Sequence, residues 1–302
     1  MEVLGRLLGL LALLLVGTGL RLSGVLDTHR TQRLNDVAYY VALPALIFVS
    51  TYDRAIDELL TPGLLAGLLA VLFATAGVAW GIHRKRSAGG RQSVAIVQSY
   101  HSNIGYLGLP LVAATFDEQV TAIASVVLGV MSLTQVPLTV VVLTAINEAD
   151  ASLGDELNRL IRNPVLATLI AGLTIGSLGL SVPAPVTGGL DVLGTLALPI
   201  ALLCVGASLQ IDMPNVDLGA TGSVVALKIA LMPALGWLVF SLLSVDAATF
   251  TAAIVMLGTP TAVSTYVFAT ELGGDAEFAS LNVFLTTLAS VGSLFVLIRA
   301  VG

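Results

Sequence analysis

Lysine is nearly missing from this chain, occurring only at Lys85 and Lys228, and just 11% of its 302 residues are charged. With a net charge of -6 and an isoelectric point near 4.9, no basic face is left for nucleic acid, which demands one. Cysteine occurs once, as Cys204 within an apolar run, which excludes an internal disulfide and reads as a small buried hydrophobe. The chain also lacks a Gly-x-Ser-x-Gly elbow, a His-Glu-x-x-His pair, a Cys-x-x-Cys pair and a Gly-x-x-x-x-Gly-Lys-Ser/Thr loop. No motif is therefore present for hydrolysis, metal chemistry or nucleotide-driven transport, and neither a metal nor a cofactor is expected.

What fills the chain instead is apolar surface, with 56% hydrophobic residues and a mean hydropathy of +0.97. This is the composition of an integral membrane protein. A spanning helix needs about 20 mostly apolar residues, and on that ruler the sequence holds ten spans with short connections. They run from Val3 to Leu22, Leu34 to Tyr52, Pro62 to Ile82, Ser93 to Phe116, Val120 to Ile146, Pro164 to Leu180, Leu190 to Leu209, Leu218 to Leu243, Ala247 to Glu271 and Phe278 to Ile298. The first span has no basic n-region and no Ala-x-Ala-like site before a mature domain, so it reads as a retained helix and not a cleaved signal.

Basic residues stay on the cytoplasmic side of a membrane. Arg21, Arg30 and Arg33 follow span one, Arg84, Lys85, Arg86 and Arg91 follow span three, and Arg159 and Arg162 precede span six, all on one side. The other side carries Arg6, Arg54 and Arg299 beside the acidic Asp53, Asp57, Glu58, Asp117 and Glu118. The expectation is a multi-pass protein of the cell membrane with both termini extracytoplasmic. The signal fades in the second half, where the connections Asp212 to Asp217 and Glu271 to Glu277 hold no basic residue.

Two spans are interrupted. Asn103-Ile-Gly-Tyr-Leu-Gly-Leu-Pro110 puts two glycines, a proline and an amide inside span four, and Gly258-Thr-Pro-Thr-Ala-Val-Ser-Thr-Tyr266 breaks span nine. Freed backbone is intolerable in hydrocarbon unless it is buried in protein or lines a polar cavity, where such breaks form ligand sites. A shift of 155 residues lays one half on the other: Leu11 on Leu166, Ala12 on Ala167, Gly17 on Gly172, Gly24 on Gly179, Leu43-Pro44 on Leu198-Pro199, Asp57 on Asp212 and Gly67 on Gly222. The same shift superposes the two breaks. Five spans per half is an odd number, so two copies must enter the membrane in opposite senses. The fold expected is an all-α membrane protein of ten transmembrane helices in a 5+5 inverted repeat. Residues 1–146 form the first repeat, 147–163 a short cytoplasmic connection and 164–302 the second repeat.

Over nearly its whole length the chain resembles the auxin efflux carrier family, which includes plant PIN-type carriers and microbial malate or malonate permeases. The resemblance rests on Asn-x-Gly-x-x-Gly-x-Pro at Asn103 to Pro110, Asn163-Pro164 opening span six, Leu198-Pro199 with Gly206 in span seven, Lys228 before Pro233 in span eight, and Thr259-Pro260-Thr261 in span nine. It implies a scaffold of spans one, two, six and seven, a transport domain of spans three to five and eight to ten, and a crossover of broken spans four and nine. It further implies elevator-type movement of organic anions, commonly by a homodimer. The long central loop of many plant relatives is absent, since only Asn147 to Asn163 joins the halves, which makes auxin a poor default substrate.

The residues are compatible with an anion. Half-helix N-termini expose unpaired N–H groups and partial positive charge, and so bind a carboxylate without a cationic side chain. Asn103 offers an amide from the first break, with Gly105 and Tyr106 beside it, and Thr259, Thr261, Ser264 and Thr265 offer hydroxyls from the second. Asn103 could instead satisfy the carbonyls of its own broken helix. Pro110 and Pro260 shape the backbone on either reading. Lys228, the one basic residue deep in a span, either neutralises substrate, replaces a coupling cation on unwound backbone, or is a structural tether to an orphan carbonyl. Gln98, Ser99, Tyr100, His101 and Ser102 lead into the first break, Gln135 precedes Pro137, and Asn282, Thr286 and Ser290 share a face of span ten, as cavity lining or as interhelical glue.

The function expected is a secondary carrier of small organic carboxylates, working by alternating access, with outward direction taken from the resemblance and no coupling ion identified. The alternative is a cation- or proton-coupled antiporter, or a sodium symporter, of the same broken-helix design. The absence of an acidic pair at the membrane centre weighs against the carboxylate-driven antiporter. An intramembrane enzyme using His101 with Ser99 or Ser102 is the weakest alternative, and no enzyme activity is expected.

Overall fold

The computed structural model describes residues 2–85, 89–150, 152–208 and 217–302. Arg86 of the basic connection, Leu209 at the end of span seven and Asp212 of the repeat alignment lie outside the described residues. Among the described residues the chain is helical, and the one extended pairing is an isolated antiparallel bridge between Ser102 and Thr261.

The elements are α1 (Glu2–Leu22), α2 (Thr28–Thr51), α3 (Pro62–His83), α4 (Gly89–Tyr100), α5 (Ile104–Thr115), α6 (Glu118–Asn147) and α7 (Leu153–Ile161). The second half continues with α8 (Pro164–Ser177), α9 (Ala184–Thr195) and α10 (Ala197–Ser208). Next come α11 (Leu218–Val225 running through Ala226–Leu231 to Met232–Leu242), α12 (Ala247–Leu257), α13 (Ser264–Glu271) and α14 (Ala276–Val301). By length and composition α2, α3, α6, the run Ala184–Ala207, Gly219–Leu242 and α14 are each able to cross a membrane. The interrupted segments give shorter apolar helices, Ile104–Thr115 and Ala247–Leu257. The short connection 147–163 contains the helix α7.

Acidic residues at helix starts explain why so many carboxylates fall at span ends. Asp27, Asp246 and Asp275 accept the N–H three residues on, at 2.8, 2.9 and 3.0 Å, Asp117 accepts that of Val120 at 2.9 Å, and Asp217 accepts those of Gly219 and Ala220. Asn163 does the same for Val165 at 2.9 Å, with Pro164 in the first turn where its missing N–H costs nothing.

Contacts divide the chain into two units. The first comprises Met1–Pro62, Gly105–Gly129 and Arg159–Leu209. Its helices meet backbone to backbone at glycine: a Cβ on Gly17 would strike the Leu203 carbonyl, one on Gly206 the Leu14 carbonyl, and one on Gly176 the Arg54 backbone. Small residues permit such approach where lipid offers no hydrophobic drive for helix pairing.

The second unit comprises Gly63–Ile104, Val130–Asn158 and Gln210–Gly302. Phe240 stacks against bare Gly67, and Leu297 against Gly258. At one end of this unit Arg91 reaches Asp275 at 2.9 Å, the Asp275 N–H donates to the Gly90 carbonyl, Ser93 donates to Asn147 Oδ1 at 2.9 Å, and Asn147 Nδ2 donates to the Leu272 carbonyl at 2.8 Å. Arg91 thus supplies the basic partner that the turn Glu271 to Glu277 lacks. The contact-based division differs from that implied by the resemblance within spans four and five: α5 and the start of α6 cluster with α1, α2 and α8 to α10.

Candidate functional site

The two breaks are built around the bridge between Ser102 and Thr261, inside the second unit. The Asn103 N–H donates to the Pro260 carbonyl at 2.8 Å, and the Ala262 N–H to the His101 carbonyl at 3.0 Å. Proline supplies the carbonyl but has no N–H to leave stranded. Ser102 turns its own N–H and carbonyl the other way, where one side chain takes both: Gln135 Oε1 accepts the N–H and Gln135 Nε2 donates to the carbonyl, each at 3.1 Å. A two-residue strand is thereby satisfied on both edges in the middle of an apolar protein, as buried backbone requires.

Gln98 is the hub on the α4 side. Its Nε2 donates to Thr265 Oγ1 at 3.0 Å and to the Ala279 carbonyl at 2.9 Å, its Oε1 accepts from Asn282 Nδ2 at 2.9 Å, and its carbonyl accepts from Thr261 Oγ1 at 2.5 Å. The Thr261 N–H in turn donates to Thr286 Oγ1 at 3.3 Å. Asn282 and Thr286 of α14 therefore act as interhelical hydrogen-bonding groups, while Ser290 donates to the Thr287 carbonyl within its own helix. On α6, Thr139 Oγ1 lies 2.8 Å from His101 Nδ1 and 3.3 Å from the Tyr100 hydroxyl.

Most of the candidate hydroxyls already have their proton placed. Thr259 donates to the Met256 carbonyl at 2.8 Å, Thr265 to the Ala262 carbonyl at 2.6 Å, and Thr261 to Gln98. A hydroxyl has one proton to give, so in this conformation these threonines hold the break together and offer a ligand only acceptor lone pairs. Ser264 is exposed, apart from the buried network. Gly105, Tyr106 and Pro110 cluster with the first unit, where the Tyr106 hydroxyl interacts with the Asn35 side chain and a Cβ on Gly105 would meet only Leu128 at 3.9 Å.

Asn282 Oδ1 and Thr287 Oγ1 of α14 are buried with no hydrogen-bond partner, and two further groups stand out. Asn103 is 3% exposed, yet its Nδ2 has no acceptor. Lys228 is fully buried on the π turn Ala226–Leu231, where its Nζ donates to the Leu257 carbonyl at 2.9 Å and to Met232 Sδ at 3.3 Å. Met232 Sδ also receives the Ser102 hydroxyl at 3.6 Å, which joins the lysine to the bridge. Gln98, Thr139 and Met232 carry much of this geometry without having been candidate ligands. Gln98, five residues before Asn103, was legible as a polar lead-in, but nothing in the sequence pairs Thr139 or Met232 with the break.

Among the described residues the hydrogen-bond partner of the His101 imidazole is Thr139 and not a serine. Ser99 donates to the Ala95 carbonyl at 2.7 Å within its own helix, and Ser102 to Met232, so neither forms the nucleophile and base pair that a hydrolase needs.

A family model described as membrane transport protein matches residues 2–298. The chain belongs to that family, which is the auxin efflux carrier family of the resemblance. Members with similar sequences include a Rhizobium meliloti protein named "putative malonate transporter", 26% identical over 270 residues that cover 86% of this chain and 84% of the relative. An uncharacterised transporter of Methanothermobacter thermautotrophicus is 25% identical over 293 residues, covering 95% of this chain and 94% of the relative. An uncharacterised transporter of Methanocaldococcus jannaschii is 24% identical over 298 residues. The chain is a membrane transporter, and the family's name is not that of an enzyme.

Proposed function

We propose that this transporter is a secondary carrier of small organic carboxylate anions, with the substrate held beside Asn103 at the paired breaks. The observation that carries the reading is the Asn103 amide. A buried N–H group without an acceptor costs about 1–3 kcal/mol, and the Asn103 backbone N–H beside it is already given to the Pro260 carbonyl. A carboxylate oxygen is the acceptor such a group lacks. The first turn of α13 has no side-chain cap, in contrast to the Asp-capped starts of α11, α12 and α14, although its Thr265 and Tyr266 N–H groups already donate to the Ala262 and Val263 carbonyls. Dicarboxylates are the first candidates, because a relative bears a malonate transporter's name.

Ten spans in an inverted repeat, with both termini outside, remain the topology of this proposal. Pairing of Arg91, Asn147 and Asp275 at one end of the second unit supports it, since all three fall on the cytoplasmic side of that topology. Thr251 meeting the Val301 carbonyl at the other end fits as well. Alternating access follows from carriage by one unit against the other in an elevator movement, and dimerisation would anchor the scaffold.

The test is uptake of labelled malonate, malate and monocarboxylates by purified protein in liposomes. Asn103→Ala should reduce uptake about tenfold or more, the worth of one charge-assisted hydrogen bond, while its thermal midpoint stays at or above that of wild type. Chemical conversion of the substrate without net movement, or Asn103→Ala uptake equal to wild type, would overturn the assignment.

A further inference from the structure

The end of α12 is capped at two successive carbonyls by two very different groups. The Met256 carbonyl takes the hydroxyl of Thr259, three residues on, at 2.8 Å. The Leu257 carbonyl takes the Lys228 ammonium at 2.9 Å, from another helix. Leu257 is the last residue of α12, so its carbonyl has no helical N–H ahead of it and lies at the negative end of the helix. A neutral hydroxyl satisfies such a carbonyl, as Thr259 demonstrates one residue earlier. Burying an ammonium for the same hydrogen bond is far more costly, and neither of its partners, a carbonyl and the Met232 thioether, carries a negative charge. The expense is explained if the positive charge itself is used.

Unwound carbonyls and half-helix C-termini are what broken membrane helices use to coordinate small monovalent cations. Lys228 delivers a cation of that class to those atoms on a covalent tether. The π turn Ala226–Leu231 presents it, and Met232 Sδ accepts both from it and from the hydroxyl of Ser102, the residue next to Asn103.

We propose that Lys228 is a tethered counter-cation at the C-terminal end of α12, where it takes the place of a free coupling cation and lets the carrier bind its anion without sodium. The proposal rests on the carrier reading above for its transport consequences, but its binding consequence is independent of that reading. Wild-type uptake should be unchanged when sodium is replaced by potassium or choline. Lys228→Ala should lose about tenfold or more of uptake, the worth of a hydrogen bond to a charged group. Added ammonium or methylammonium, small enough to enter the vacated space, should restore a large part of it saturably. Tetramethylammonium should not.

The thermal midpoint of the same variant supplies a readout that needs no transport. It should rise with ammonium chloride relative to tetramethylammonium chloride, because a ligand of the native state raises apparent stability, and the wild-type midpoint should not. Lys228→Met, which fills the space without charge, should respond to neither salt and should stay slow. Wild-type uptake that requires sodium, Lys228→Met uptake equal to wild type, or a Lys228→Ala midpoint indifferent to ammonium in folded protein would each overturn the proposal. If no carboxylate moves in any medium while the ammonium-specific midpoint shift is present, the carrier reading fails and the cation site stands.

Discussion

At the scale of single residues, the side chains that look most like ligands in the sequence are mostly the ones that stitch the break together. Gln135 shows the physics best, since its one amide replaces a neighbouring strand for Ser102. Gln135→Leu would leave the buried Ser102 N–H stranded, at about 1–3 kcal/mol, while the Ser102 carbonyl would keep the Ile104 N–H at 2.9 Å. The expected result is a clear fall in the thermal midpoint of detergent-purified protein, and an unshifted midpoint would mean that Ser102 finds other partners. Asn103 behaves oppositely, because removing its orphan amide should not lower stability. Prolines have a similar double character. Each of the three π turns, Ala38–Ala42, Ile104–Gly108 and Ala226–Leu231, ends two residues before a proline, at Pro44, Pro110 and Pro233. A proline ring clashes with the carbonyl four residues earlier and gives no N–H. Widening the turn by one residue relieves both problems within a continuous helix. The sequence displays the prolines and not the choice between a π turn, a kink and a break.

At the scale of elements, helix starts are fixed by local caps and helix packing by contacts between distant segments. Asp246 opens α12 by accepting both the N–H and the hydroxyl of Thr249, at 2.9 and 2.6 Å. Partial burial pushes its carboxyl up, but those hydrogen bonds outweigh burial and hold it below the ordinary carboxylate range. Its contribution is therefore complete above the unfolded carboxylate's range and fades as pH falls through the lowered folded value. Asp246→Ala should cost about 1 kcal/mol at neutral pH. The difference in midpoint between variant and wild type should shrink on acidification, and a difference independent of pH would contradict the capping account. Gly206 makes the complementary point for α1 and α10. It was visible as a resemblance feature, yet only the packing reveals that a methyl there collides with the Leu14 carbonyl. Gly206→Val should destabilise by about 1–3 kcal/mol through overpacking, measured as earlier loss of monodisperse protein on heating.

At the scale of the whole molecule, the basic residues after α3 and the ion pair at one end of the second unit fall on one side of the proposed topology. Arg84 and Lys85 follow α3 in sequence, and Arg91 and Asp275 form an ion pair in the structure. Being partly exposed, that pair is worth about 0.2–1 kcal/mol in a double-mutant cycle, so it orders the end of the unit more than it stabilises the molecule. Cys204 is buried, and a Cys204→Ser background allows single cysteines to be probed with a membrane-impermeant maleimide. Asp53→Cys should label in intact cells, and Lys85→Cys only after permeabilisation. The reverse pattern would invert the proposed topology. The grouping of α5 and the start of α6 with α1, α2 and α8 to α10 had no sequence signal, because contacts between distant segments leave no mark on composition or periodicity.

Composition and hydropathy alone determined that this protein is a helical membrane protein with two interrupted spans, because solvent sets the length and character of every helix and backbone rules set where helices must break. The position of Asn103 and Pro260 in the breaks follows from the same rules. Only the tertiary structure decided which polar groups are spent and which are free. Thr259, Thr261, Thr265 and Gln135 find partners across the fold, Lys228 reaches a carbonyl 29 residues away in sequence, and the Asn103 amide finds none. Hydrogen-bond satisfaction is a property of neighbours in space, and those neighbours come from helices far apart in the chain.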